Sequence, residues 1–383
     1  MLLRALCLLI VWPLASADDK APLAPLEARL KERLVKHHER AKFPGATVGF
    51  VRADGSTGAV AIGVSHKASQ TPMKPHDRMF SGSIGKTYVA VVTLLLNEEG
   101  KADLDQKLSH WLGQEPWFDR LPNAREITLR MLLNHTSGVP EHVYHPEFKK
   151  AIAADPQKVW KPAELVAFIL DKKPPFAAGQ GWSYADTNYI LVGMVIEKIT
   201  GRTYYQELTD RVLTKYKLDA TSPADRPELP GLVSGYTRPN GVFPVPAEVA
   251  TNGKYVLNPQ LEWTGGGLVS TALDLARWAK LLYAGNVLKE TTRQQMLTMV
   301  PAKALGPKNE YGLGAMRWQS RHGEVIGHSG FFPGYLSTMA YYPKHKLAVA
   351  VQLNSDERGS IGLMRAMLDD VVDELLAEKG TKP

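Results

Sequence analysis

The stretch Met79-Phe80-Ser81-Gly82-Ser83-Ile84-Gly85-Lys86-Thr87-Tyr88 runs directly into Val89-Ala90-Val91-Val92-Thr93-Leu94-Leu95-Leu96. The second half is apolar on every side. A helix with no water-facing stripe belongs in a protein interior. Small residues precede it and suit a tight turn into the helix start. Ser83 therefore sits near a helix N-terminus, where backbone N–H groups and the dipole favour negative charge. Lys86 lies three residues on, one helical turn away and on the same face. An apolar setting lowers a lysine pKa. The spacing thus predicts a neutral amine beside a hydroxyl, a base next to a nucleophile. Ser81 has no lysine three residues after it.

The 383 residues are 44% hydrophobic and 22% charged, ordinary for a globular enzyme with a large core. The net charge is +7, but basic and acidic residues interleave, as in Glu27-Ala28-Arg29-Leu30-Lys31-Glu32-Arg33. No run is dense enough for a nucleic-acid patch. The surplus gives only a mild bias toward anionic partners. Arg4, an apolar run over 5–14 and Ala15-Ser16-Ala17 read as a secretory signal peptide, 1–17, cleaved after Ala17. The apolar run is too short to span a bilayer, and no later one is long enough. Cys7, the single cysteine, lies inside this segment, so disulfides and cysteine catalysis are excluded from the mature chain. The expected location is the periplasm or the exterior.

Along the chain, 25–40 reads as an amphipathic helix and 46–52 with 59–64 as a hairpin. Residues 99–310 are rich in helices and loops, with helices at 127–133, 163–170 and 189–199. Residues 218–262, rich in Pro, Gly and Asn, read as a long surface excursion. After a capped helix from Ser270, strands follow at 324–327, 335–342 and 347–353, and a helix closes the chain at 360–376. Strands at both ends and helices between imply an α+β fold. Its antiparallel sheet, from 18–78 and 265–383, is flanked by terminal helices, and the helical domain 79–264 is inserted into it.

Two further motifs stand far from the first: Trp182-Ser183-Tyr184-Ala185-Asp186-Thr187-Asn188-Tyr189 and Gly327-His328-Ser329-Gly330. Ser-x-x-Lys, Tyr-x-Asn/Asp and Lys/His-x-Gly in this order are more specific than any one of them. The sequence here resembles the penicillin-recognising serine hydrolases. The likeness is greatest to the branch holding class C β-lactamases, D-alanyl-D-alanine carboxypeptidases, D-aminopeptidases and β-lactamase-like esterases. Supporting stretches are Leu132-Leu133-Asn134-His135-Thr136-Ser137-Gly138, Gly266-Gly267-Leu268-Val269-Ser270-Thr271 and Tyr311-Gly312-Leu313-Gly314.

The resemblance implies that Ser83 attacks a carbonyl, Lys86 takes or relays its proton, and Tyr184 acts as acid or base on the leaving group and water. A phenol titrates near pH 10, so Tyr184 needs cations nearby, a field assigned to Lys86 and His328. The N–H groups of Ser83 and Phe331 should form an oxyanion hole. Gly330 should let a substrate backbone lie against the edge strand. Asp186 replaces the usual Asn and opposes deprotonation of Lys86. His328 replaces the usual Lys and grips a substrate carboxylate less firmly. Both departures fit a peptidase or esterase better than an efficient β-lactamase. The expected substrate is a small molecule or short peptide, foremost a D-amino-acid peptide of the kind a D-alanyl-D-alanine carboxypeptidase cleaves, or a β-lactam. A carboxylic ester and non-turnover binding of a penicillin or cell-wall peptide remain alternatives. No cofactor and no metal are expected. His135 and Ser137 read as turn-holding residues, and His142, His145, Glu141 and Glu147 as a solvated loop. No Gly-x-Ser-x-Gly and no phosphate loop occur.

Overall fold

The computed structural model describes residues 24–238 and 241–377. The signal-peptide reading of 1–17 lies outside them. Helix α1 (Ala24–Ala41) leads into β1 (Gly45–Val51) and β2 (Thr57–His66). The buried stretch forms α2 (Gly85–Glu98), and the second motif opens α3 (Asp186–Thr200). Helix α4 (Ala272–Tyr283) precedes β3 (Met316–Ser320), β4 (Gly323–Phe332), β5 (Tyr335–Tyr342), β6 (Leu347–Leu353) and the closing α5 (Ile361–Ala377). Two-residue strands extend the sheet at both edges, giving the order Thr71–Pro72, β2, β1, β6, β5, β4, β3, Glu310–Tyr311, Val300–Pro301. Every pairing in it is antiparallel, and β1 meets β6 with Val48 opposite Val351. The two chain ends therefore meet in mid-sheet, as the α+β reading expects.

Alternation in the central strands sends side chains to both faces. One face packs on α1 and α5 through Leu26, Leu30, Leu34, Val48, Val351, Leu368 and Val372. The other packs on α4 and the helical region through Ala276, Trp278, Ala350 and Met339. Helix α2 runs between α3 and α4. Its Tyr88 ring stacks on Trp278 at 4.4 Å, and Trp278 Nε1–H donates to Thr87 Oγ1 at 2.8 Å. Its all-round apolar surface is thereby satisfied, with Val89 through Leu94 buried. Among the described residues no helix is long and apolar enough to cross a membrane.

Two expectations need correction. Residues 218–262 are not a surface excursion. Leu218, Leu229, Leu232, Tyr236, Val249, Tyr255 and Leu257 are buried in the core, and Ser222–Pro223 pairs with Leu268–Ser270, which also pairs with Met79–Phe80. The apolar residues are widely spaced and each fills its own gap, so polar composition hides them. The strand read at 324–327 is also longer, so the third motif does not lie beyond its end. It lies inside β4, which continues to Phe332.

Candidate active site

Ser83 sits in a single helical turn, Gly82–Ile84, that feeds α2. Gly82 takes φ +50, and a Cβ there would stand 2.6 Å from the Phe331 nitrogen. The bare backbone lets β4 press against the turn that carries the nucleophile, which brings the Phe331 main chain beside Ser83. On β4 the β3 partner ends at Gly327, opposite Met316, while β5 continues to pair as far as Phe332. From His328 to Phe332 no described strand covers the second edge, a place where an extended substrate can add as a strand.

Lys86 is fully buried. Its Nζ donates to Ser83 Oγ at 3.2 Å, to Asp186 Oδ1 at 2.5 Å and to the Gly265 carbonyl. That carbonyl belongs to a turn in which Trp263 adopts φ +40, a region bulky residues avoid and one typical of functional sites. Burial alone lowers the Lys86 pKa, but the Asp186 carboxylate and Tyr184 outweigh it and hold the group well above its ordinary value. Burial pushes Asp186 upward and Lys86 opposes that push. The 2.5 Å contact fixes the two as an ion pair. The expected neutral amine is therefore absent from the resting site. Lys86 is an ammonium, because Asp186 arrives from a segment a hundred residues away.

Tyr184 lies over this pair, with Lys86 Nζ 4.9 Å from its ring centroid. Its hydroxyl makes no well-formed hydrogen bond, although Ser83 and Lys86 both act on it. Burial drives its pKa well above the usual phenol value, and Lys86 offsets this only in part. Tyr184 rests as a phenol. His135 supports it from below, with ring centroids 4.3 Å apart. His135 Nδ1 accepts from the Ala185 N–H at 3.3 Å and faces the Asn188 amide at 3.0 Å. Burial, with Lys86 adding, keeps this imidazole neutral.

His328 does not supply the expected cation. It is fully buried in β4. Its Nδ1–H donates to the Ser329 carbonyl at 2.7 Å, and its Nε2 accepts from the Tyr311 hydroxyl at 2.9 Å. Burial, then Lys86, pushes its pKa down to about 3. Both ring nitrogens are engaged and the ring is neutral, so it cannot hold a carboxylate by charge. Gly330 also differs from expectation. A Cβ there would meet the Ser81 carbonyl oxygen at 1.9 Å and Ser337 Oγ at 2.5 Å, so its bareness serves the contact with the nucleophile turn. Gly330→Ala is expected to cost about 3 kcal/mol of stability, since backbone cannot step aside cheaply. An unchanged denaturation midpoint would show that β4 relaxes without penalty.

A cleft of about 450 Å³ opens over Ser83. Val143, Trp182, Phe243, Leu305, Phe331 and Phe332 give it apolar walls. Its polar lining includes Tyr184, Asp186, Glu141 and Glu262. The sequence reading placed Glu141 in a solvated loop and missed Glu262. Glu141 Oε2 accepts the Asp186 N–H at 2.5 Å, and His142 beside it is buried against Thr187 at 2.9 Å, so this segment is not a solvated loop. Glu262 is only 9% exposed. No motif marks it. Burial pushes its carboxyl up to about 8, with Asp186 adding and Lys86 opposing.

An unfolded chain ionises Glu262 above its ordinary 4.5, while the folded chain keeps it neutral to about 8. Stability is therefore lost as pH rises between those values. Glu262→Gln lacks this loss and is expected to exceed the wild type by on the order of 3 kcal/mol at pH 8, with little difference at pH 4.5. Parallel pH–stability curves for the two proteins would contradict it.

Comparison with known proteins gives consistent relatives. A family model described as Beta-lactamase matches residues 30–374. The chain is 25% identical over 313 residues to penicillin-binding protein 4* of Bacillus subtilis, covering 78% of this chain and 65% of that protein. It is 24% identical to a D-aminopeptidase of Brucella anthropi, covering 84% of this chain and 58% of that protein. The chain thus spans under two thirds of the length of both relatives. Among solved structures, a D-stereospecific amidohydrolase from Streptomyces superposes with TM-score 0.75 at 28% identity, covering 92% of this chain and 98% of that one. A D-amino acid amidase from Ochrobactrum anthropi superposes with TM-score 0.79 at 23% identity, covering 93% and 99%.

Proposed function

The chain belongs to the Beta-lactamase family, and on that premise we propose that it is a serine hydrolase forming an acyl-enzyme on Ser83 with small amides that carry a free amino group. The reading rests on one observation. The cleft is lined by Glu141, Asp186 and Glu262, with no Lys or Arg among its described lining residues, and His328 behind it is neutral. A β-lactam or a C-terminal D-alanine presents a carboxylate, and this lining offers it no Lys or Arg to pair with. An amine is the complementary charge. The D-aminopeptidase and D-stereospecific amidohydrolase relatives add support. The apolar walls suit a bulky hydrophobic side chain.

The resting charges shape the proton path. Ser83 Oγ attacks the carbonyl carbon in one concerted shuttle, its proton moving onto the Tyr184 oxygen as the Tyr184 hydroxyl proton leaves toward the nitrogen. The nitrogen departs protonated and the phenol ends as it began. The Lys86 ammonium stabilises phenolate character while this happens, and Asp186 holds Lys86 in place. The Ser83 and Phe331 N–H groups receive the charge that develops on the carbonyl oxygen. Water then takes the place of the amine, and the sequence runs in reverse through Tyr184. The apolar walls also favour a second reading, a neutral carboxylic ester as substrate.

The test is a panel of D-phenylalanine amide, a short nitrophenyl ester, a chromogenic cephalosporin and a D-Ala-D-Ala peptide bearing a free carboxylate. The amide is expected to give the highest kcat/KM. Faster turnover of the cephalosporin or the D-Ala-D-Ala peptide would contradict the amine reading.

A further inference from the structure

We propose that Glu262 selects the substrate: its carboxyl, with one buried oxygen left without a donor in the free protein, receives the ammonium group of the amide at the inner wall of the cleft. The inference rests on the amine reading and names the residue behind it. Glu262 follows the turn Pro259–Leu261 and lines the cleft together with Ser83 and Asp186. It is only 9% exposed, and its Oε2 has no hydrogen-bond partner. A backbone hydrogen bond from Gly267 is the contact that reaches the group. Buried polar atoms are almost always paired, so an orphaned carboxylate oxygen beside a cavity points to a missing donor. The other carboxylates of the cleft are already engaged. Asp186 holds Lys86, and Glu141 accepts the Asp186 and Val143 N–H groups. Of the three, Glu262 is the one with a fully buried oxygen that no donor reaches.

Its place is next to the chemistry. A Cβ built on Gly265 would stand 3.6 Å from both Asp186 Cγ and Glu262 Cγ, and the Gly265 carbonyl binds Lys86. The titratable groups facing Glu262 are Lys86 on α2, Asp186 on α3, and the phenols of Tyr205 and Tyr255. Lys86 is the one cation among them, and Asp186 already neutralises it. An arriving ammonium is thus the charge this corner lacks.

Binding then moves a proton. Below pH 8 the carboxyl is neutral in the free protein. As the substrate ammonium docks, the acid releases its proton to solvent and the carboxylate pairs with the ammonium. Affinity for an amine-bearing ligand should rise with pH until the acid is already ionised.

Two measurements test this. Calorimetry of 2-phenylethylamine binding to the wild type, in two buffers of different ionisation enthalpy, is expected to show about one proton released at pH 6.5 and almost none at pH 9. No proton release at either pH would overturn the proposal. Kinetics with D-phenylalanine amide and its N-acetyl derivative give the second readout. Glu262→Gln is expected to cut the preference for the free amine by about tenfold or more, through KM rather than kcat. Glu262→Asp should restore part of it. A wild type that favours the N-acetyl derivative contradicts the amine reading as well. A wild type that favours the amine, with the preference kept in Glu262→Gln, contradicts only the role of Glu262.

Discussion

Ser83→Ala is expected to lose turnover by about a millionfold on every amide and ester that the wild type cleaves. No neighbouring group can replace the hydroxyl. Ser81 is fully buried and its Oγ donates to the Leu268 carbonyl at 3.2 Å. The fold should survive, because Ser83 Oγ gives up only its 3.2 Å contact with Lys86, which keeps Asp186 and the Gly265 carbonyl. The cost to stability is expected to stay within about 1 kcal/mol. Steady-state rates with a nitrophenyl ester and a thermal melt check both halves. Residual turnover within about a hundredfold of wild type would place the nucleophile elsewhere.

Lys86→Met carries the second large effect, and it strikes stability as well as rate. The ammonium is fully buried and Asp186 faces it at 2.5 Å. Removing one partner of such a pair strands the other charge, a loss of about 3–5 kcal/mol. Acylation is expected to slow by about 10³- to 10⁴-fold, since the phenol loses the cation that stabilises it. The double variant Lys86→Met/Asp186→Asn separates the two effects. It should recover most of the stability and none of the acylation rate. A double variant no more stable than Lys86→Met would mean that the stranded carboxylate is not the cause.

What the sequence shows of this site follows sequence distance. Ser83 and Lys86 are one helical turn apart, so their contact is local and legible. Tyr184 and Asp186 are legible as a pair for the same reason, since Asp186 opens α3 and Tyr184 lies just before it. The charge on Lys86 is not local. An apolar helix predicts a neutral amine, the second motif sets Asp186 against that, and the contact made in the fold decides between them. His328 is a similar case. Its type leaves the charge open, and its ionisation is decided by depth in β4 and by the nearby Lys86 ammonium. Glu262 has no legible mark, because its meaning lies in a missing partner and a nearby cavity. At the level of the fold, the terminal strands and helices announce themselves by alternation and amphipathic spacing. Residues 218–262 do not, because Tyr236, Val249 and Tyr255 are buried one at a time between polar neighbours.

The most direct measurement is the mass of the acylated protein. After rapid quench with D-phenylalanine methyl ester, tryptic digestion releases the peptide 79–86, which holds both Ser81 and Ser83. The expected result is one D-phenylalanyl increment on this peptide, with fragmentation assigning it to Ser83. An increment on Ser81 or on any other peptide, or efficient turnover with no covalent intermediate, would contradict the mechanism at its first step.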